Sequence, residues 1–396
     1  MKTPTRRFGK TELQLPVLTC GGMRYQQSWQ DDAEARASVT DDNQRNVEAT
    51  LRHALELGIN HIETARGYGT SEYQLGKILP SIPRDQIIVQ TKVGPKDTPA
   101  EFLSVFEESM AALKLDYIDL LAIHGINNEE TFQQAMNTLP ALERLKREGR
   151  CRFIGFATHG LPDIAAKAID TGAFDYVNLH WYFVYHPITW PSVAAAAKHD
   201  MGVLIISPND KGGKLYEPSQ KLVDLCAPLS PMAFNALYCL RRPEVHTLSI
   251  GAMRPEDFDL HAETVSGSLN EKFTGVNAIG KRLVNEIEKV FGDGWMQHWH
   301  ENLPHWNDTP DEINIPEILR LYTFAKGLDM VEFAKMRYNL MGSGGHWFGG
   351  AQAFNVDSEK LKPLLAGSRY ADRIPDMLCD AHALLHDAPQ KRLSES

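Results

Sequence analysis

The run Gly58-Ile-Asn-His-Ile-Glu-Thr-Ala-Arg-Gly-Tyr-Gly-Thr-Ser-Glu72 reads as one βα unit at its turn. A short β-rich stretch at 60–64 carries an acid, Glu63, at its end. A Gly-Tyr-Gly turn follows with Tyr68, and Thr70-Ser71-Glu72 has the side chains that open a helix. The pattern repeats on both sides. Upstream, 17–22 reads as a strand and 46–57 as a helix, with Leu51, Ala54 and Leu55 at helical spacing. Downstream, strands are expected at 87–91, 117–123, 153–157, 176–179, 203–207 and 247–251. Between them lie helical stretches at 99–113, 129–148, 162–171 and 192–198, the first with Phe102, Phe106, Met110 and Leu113 on one face. Strands alternating with helices build a parallel sheet, and eight is the number that closes a barrel. The fold expected is therefore a (β/α)8 TIM barrel. A doubly wound sheet is the alternative, but no GxGxxG follows the first strand.

The polar stretch 28–44 reads as a long loop after the first strand, either part of the active-site rim or a solvated insertion. Two further strand ends bring chemistry: Lys92 in Val89-Gln-Thr-Lys92, and His124 in Asp119-Leu-Leu-Ala-Ile-His124. In a barrel these ends converge with Glu63 and Tyr68 on one mouth. Singly, each residue has a plainer reading. The tyrosine caps a turn, the lysine is a salt-bridge partner, the histidine is a satisfied core residue, and Glu63 pairs with Arg66 or a backbone amide. Their order and strand placement together favour a site.

The combination resembles the aldo-keto reductase family over about residues 5–265. The likeness begins at Arg7-Phe-Gly-Lys-Thr11 and Gly21-Gly-Met23 and ends at Ile250-Gly-Ala-Met-Arg-Pro-Glu256. The resemblance implies that Tyr68, Lys92 and His124 are catalytic, and it places Glu63 where the family has Asp. It implies NAD(P)H-dependent reduction of a small aldehyde or ketone. The physical case runs alongside. Carbonyl reduction needs a proton at oxygen as hydride reaches carbon, and a free phenol has a pKa of about 10. A neighbouring ammonium would lower that value, so Lys92 is expected to do so, with Glu63 holding Lys92 charged and His124 polarising the substrate oxygen. By the same resemblance, cofactor contacts fall on Gly22, Met23, Thr158, His159, Asn178, Ser207, Asn209, Lys211, Gly212, Gly251, Met253 and Arg254. Thr158-His159 and Asn178 replace the family's Ser-Asn pair and Gln. Ser207-Pro-Asn-Asp-Lys-Gly-Gly213 matches the loop around the pyrophosphate, and Arg254 is a candidate for the 2′-phosphate. Asp257 and Leu260-His261 depart from the family there, so NADP is favoured on the family's habit, with NAD as the alternative. Tyr25, Trp181, Tyr182 and Phe183 read either as an apolar pocket wall or as ordinary packing.

Residues 1–285 are taken as the barrel and 286–396 as a helical C-terminal extension, with helices at 316–327, 330–340 and 376–385. The segment Ile313-Asn-Ile-Pro-Glu-Ile318 resembles one in ferredoxin-like modules found on some relatives, but cysteines do not precede it. Only Cys379 lies in the extension, so no iron–sulfur cluster is expected. His298, His300, His305 and His346 fit no standard metal spacing, so no metal is expected either. The chain of 396 residues is 43% hydrophobic with net charge −10, which argues against nucleic-acid and anionic-membrane partners. Five scattered cysteines and the absence of an apolar leader or span point to a reducing, cytoplasmic setting. The competing reading is a cofactor-binding regulatory or assembly protein on the same barrel with little or no turnover.

Overall fold

A computed structural model describes residues 2–343 and 345–392. Two short strands, β1 (Thr5–Arg7) and β2 (Gln14–Pro16), form an antiparallel hairpin. Eight parallel strands then close a barrel in chain order: β3 (Leu18–Gly21), β4 (His61–Glu63), β5 (Ile88–Val93), β6 (Ile118–His124), β7 (Cys151–Ala157), β8 (Tyr176–Leu179), β9 (Gly202–Ile205) and β10 (Thr247–Ile250), with β10 pairing back onto β3. The (β/α)8 architecture is the one the sequence implies. The hairpin was not expected, because three-residue strands show too little alternation to register.

Helices follow the strands for recognisable reasons. Pro99–Leu113 opens on Thr98, whose hydroxyl accepts from the Glu101 amide while Glu101 reaches back, and Glu129–Arg147 opens on Asn128 in the same way. The stretch 28–44 is less of a loop than its polarity suggests. Asp32 caps a helix at Ala33–Ala37, and Thr40 caps Asp41–Glu56, which begins five residues ahead of the expected start. Hydrophobic periodicity misses a first turn made of Asp41, Asp42 and Asn43, whereas the cap and the acidic first turn account for it.

Under the barrel, Phe8 from the hairpin is fully buried with Leu15, Leu120, Ala122, Tyr176 and Leu204. Its ring lies so close to Gly202 that a Cβ there would come within 2.6 Å of it. This layer closes the end of the barrel where the strands begin.

The chain divides into two compact units. The first is Met1–Trp181, Thr189–Pro208 and Ala236–Phe273, and holds the barrel. The second is Tyr182–Ile188, Asn209–Asn235 and Thr274–Ser396. The expected extension 286–396 falls inside the second unit, which also takes in the shorter segments. Helices Ile315–Leu328, Val331–Tyr338 and Ile374–Leu385 build much of it, with Leu319, Phe324, Phe333 and Leu378 buried. Among the described residues no single helix is long and apolar enough to cross a membrane, and no group of three or more His, Cys, Asp or Glu side chains is placed to hold a metal ion.

Candidate active site

Glu63 ends β4, Lys92 lies near the end of β5, and His124 ends β6, so neighbouring strands deliver three of the four side chains to one mouth. Tyr68 arrives on the loop after β4. Gly69 beside it has φ +51°, and a Cβ there would collide with the Ser28 carbonyl, so glycine is required for the loop to pass this close. Lys92 is fully buried and forms an ion pair with Glu63 Oε1; its ammonium also donates to the Thr64 carbonyl at 2.7 Å. Glu63 Oε2 accepts from Ser249 Oγ at 2.9 Å. The Lys92 ammonium lies 4.7 Å from the centre of the Tyr68 ring, and the His124 ring meets that ring edge-on with centroids 5.5 Å apart.

The electrostatics correct one expectation. Burial and the negative charge of Glu63 hold the Tyr68 hydroxyl well above its ordinary pKa, so the phenol is protonated rather than tuned downward by Lys92. Burial pulls Lys92 below its ordinary value, and Glu63 opposes that shift. The Lys92 charge is directed at the carboxylate, and the tyrosine faces the ion pair as a whole.

A latch holds the tyrosine loop. Arg66 pairs with Asp31, which also accepts from Arg36 Nε at 2.6 Å. The Thr70 amide donates to the Ser28 carbonyl at 3.0 Å, and the Gln27 amide to Thr70 Oγ1 at 2.9 Å. Below the loop, Glu72 is fully buried and accepts from Thr91 Oγ1 at 2.6 Å. Burial raises its pKa to about 7, with Thr91 and Arg66 opposing the shift.

The expected cofactor residues divide into those with open chemistry and those already engaged. Asn178, at the mouth end of β8, is fully buried with both amide atoms unpartnered. A carboxamide group supplies the donor and acceptor that would satisfy it. The Thr158 hydroxyl is engaged in its own loop, donating to the Ile126 carbonyl at 2.7 Å and accepting from the Gly160 amide at 3.0 Å. His159 Nδ1 lies 3.1 Å from His180 Nε2, and its amide donates to Asn127 Oδ1 at 2.7 Å. Gly22 sits where a Cβ would come within 2.9 Å of the Glu63 carbonyl, and Met23 follows it in a short helical turn. Ser207 has φ +52°, and Gly251 lies in the barrel unit after β10. Met253 is exposed. Arg254 Nε bonds Asp257 Oδ1 at 3.2 Å, while Asp257 Oδ2 accepts from the Met253 amide at 2.9 Å. Asn209, Lys211 and Gly212 belong to the second unit, where burial and then Arg337 hold Lys211 well below its ordinary pKa.

The aldo/keto reductase family matches residues 17–208. An uncharacterised oxidoreductase of Bacillus subtilis is 33% identical over 276 residues, covering 61% of this chain and 84% of that protein. The chain belongs to the aldo/keto reductase family. L-galactose dehydrogenase of Arabidopsis thaliana is 41% identical over 132 residues, but this covers only 31% of the chain and 41% of that relative's length. The solved structure of an aldo-keto reductase from Klebsiella pneumoniae in complex with NADPH shares the fold, with a TM-score of 0.55 at 20% identity over 70% of this chain and 95% of that one.

Within this aldo/keto reductase, the aromatic residues proposed for a pocket wall are buried. Tyr25 is 2% exposed with its hydroxyl 2.6 Å from Cys20 Sγ, and Trp181 is stacked on Tyr238 at 5.4 Å. Tyr182 and Phe183 lie in the second unit, also buried. Of their two readings, the burial matches packing. Sequence reasoning missed Ser249, Asp31 and Glu72. Ser249 had a signal, since Thr247 and Ser249 alternate with Leu248 and Ile250, which sets two hydroxyls on one face of a barrel strand. Asp31 had none, because Arg66, the partner that ties it to the tyrosine loop, lies 35 positions away.

Proposed function

We propose that this aldo/keto reductase catalyses NAD(P)H-dependent reduction of a small aldehyde or ketone at the mouth formed by Tyr68, Lys92, His124 and Glu63. The observation that carries the reading is the half-buried Tyr68 set against His124 and above the buried Lys92–Glu63 pair. The nicotinamide supplies the hydride when bound. Asn178 offers both polar atoms of its amide to hold the carboxamide, while Thr158 is engaged elsewhere. Tyr68 gives its proton to the carbonyl oxygen as negative charge gathers there, and His124 donates a hydrogen bond that orients that oxygen. Lys92, tied to Glu63 and the Thr64 carbonyl, fixes that ion pair behind the tyrosine. Glu63 is the family's acid with one more methylene, and Ser249 takes up its second oxygen.

NADP remains the cofactor favoured by family habit. The Arg254–Asp257 pair supports NAD as the alternative, because it sets a carboxylate on the guanidinium offered for the 2′-phosphate. The degenerate ferredoxin-like origin of the extension stays part of this reading, carried by the 313–318 segment alone. The test is NAD(P)H oxidation against an aldehyde and ketone panel, with dinucleotide binding followed separately by fluorescence. Turnover with at least one carbonyl class supports the reading. Dinucleotide binding with no turnover across the panel overturns it in favour of a regulatory or assembly role.

A further inference from the structure

We propose that the barrel unit carries a second binding site, a cleft at the end opposite the mouth, which takes a phosphate-bearing small molecule. The cleft opens to solvent, has a volume of about 500 Å³ and is lined by Arg6, Arg7, Arg241, His246, Asn270 and Phe273. Arg6 and Arg7 lie on β1, in the hairpin under the barrel, and His246 immediately precedes β10. The cleft is thus at the start of the strands, whereas Glu63, Lys92 and His124 lie at or near their ends. A ligand there cannot reach Tyr68, so the site binds without performing the reaction.

The charge balance is what singles the cleft out in a chain of net charge −10. Arg7 is matched by Glu12 and Asp200, both at 2.6 Å. Among the described residues Arg6 is not matched by an acid. Its guanidinium donates to the carbonyls of Leu240, Val245 and Arg242 at 2.6, 2.5 and 3.2 Å, which fixes its position and leaves its charge uncancelled. Arg241 lies 3.5 Å above the Tyr238 ring with one long bond, 3.4 Å, to the Tyr238 carbonyl; among the described residues it has no carboxylate partner. Two arginines without acids therefore face one cleft. His246 adds a third donor. Its Nδ1 accepts from the Val203 amide at 2.9 Å, so the neutral ring carries its proton on Nε2. Burial, then Arg6, lower its pKa to about 4, which keeps the ring neutral at physiological pH.

This donor set suits phosphate. A planar guanidinium held in place by backbone carbonyls presents a fixed positive charge, and Arg241 is a second fork on an aromatic platform. Phosphate has enough acceptor oxygens for donors that approach from several directions. The volume exceeds that of the ion alone, and Phe273 offers an apolar wall for the organic part of a phosphate ester.

The test is calorimetric titration of inorganic phosphate and pyrophosphate into the whole protein without dinucleotide, using wild type, Arg241→Ala and Asn270→Asp. Saturable binding is expected, weakened roughly tenfold to a hundredfold in Arg241→Ala, the loss of charge-assisted bonds. It should also weaken in Asn270→Asp, which sets a negative charge on an exposed position and leaves the Tyr238 stack intact. The imidazole resonances of His246 should move during the wild-type titration. No saturation at millimolar anion, or equal binding in wild type and both variants, overturns the proposal, the second result placing the anion elsewhere.

Discussion

A phenol that is to give up a proton must carry it at the working pH, and Tyr68 does so because burial and Glu63 both disfavour the tyrosinate. In the proposed reaction the carbonyl oxygen gains basicity as hydride reaches its carbon, and His124 is placed to stabilise the charge that gathers there. Tyr68→Phe keeps the ring and removes the proton. Turnover should fall by roughly 10²–10⁴-fold with dinucleotide affinity little changed; steady-state kinetics beside binding titration will show it, and unchanged turnover would sink the tyrosine mechanism. The same shift gives a pH signature. A raised donor pKa puts the loss of reductive activity above about pH 10, so the rate profile should not fall through neutrality for want of the tyrosine proton. Glu63 yields the second prediction. Its carboxylate bridges Lys92 and Ser249, so Glu63→Asp withdraws it by about the length of a methylene and cannot keep both contacts. Misplacement on that scale costs up to about 10²-fold. A kcat at least roughly tenfold lower is expected. A kcat raised about tenfold, about 1.4 kcal/mol off the barrier, without a change in folding stability would mean that the site has decayed from an Asp ancestor.

The short helix Ser71–Leu75 brings a buried acid under the tyrosine loop, and its cost depends on pH. Glu72 has a folded pKa of about 7 against an ordinary 4.5. Between those values the folded chain holds the proton and the unfolded chain does not, so stability is full below about pH 4.5 and is lost as pH rises through 7. The loss is on the order of 3 kcal/mol from this group. Glu72→Gln keeps an oxygen to accept from Thr91 and removes the charge, so it should flatten that part of the stability–pH curve. Denaturant midpoints measured between pH 5 and 8 will test this, and an unchanged slope would place the titration elsewhere. The elements also show where sequence reading succeeds and where it stops. The eight barrel strands were legible because Val, Ile and Leu runs alternate with helical periodicity. That Tyr68, Lys92 and His124 come to one mouth was legible because strand ends are fixed points in a barrel. Helix Ala33–Ala37 was not, since its signal is a capping Asp32 within a polar stretch, and neither was the Asp31–Arg66 latch, which exists only once the loop has folded back. The direction of the Tyr68 shift was misjudged because proximity to Lys92 is visible in sequence order whereas burial is not.

For the whole chain, the cysteines bear on cofactor content. Cys20, Cys151, Cys226 and Cys239 are buried and Cys379 is exposed, and none shares a metal-binding group with other ligands among the described residues. Protein purified without oxygen should hold no stoichiometric iron or acid-labile sulfide; about four irons per chain would show a cluster built from other ligands. The hairpin under the barrel carries a different consequence. A two-stranded ribbon alone is marginal in water, and left to itself its amides would trade hydrogen for deuterium within moments. Here Phe8 is packed beneath Tyr176, with centroids 5.8 Å apart, and the Phe8 amide donates to the Leu13 carbonyl at 2.8 Å. Opening the ribbon therefore means withdrawing an aromatic ring from the barrel core. The amide of Phe8 should keep its hydrogen about as long as those of β6 and β7, and Phe8→Ala should release both sets together, since the cavity left by such a truncation is worth about 3–5 kcal/mol. A mass-spectrometric exchange time course that finds the ribbon labelled fast while the barrel stays dark would show that the ribbon and the barrel open separately.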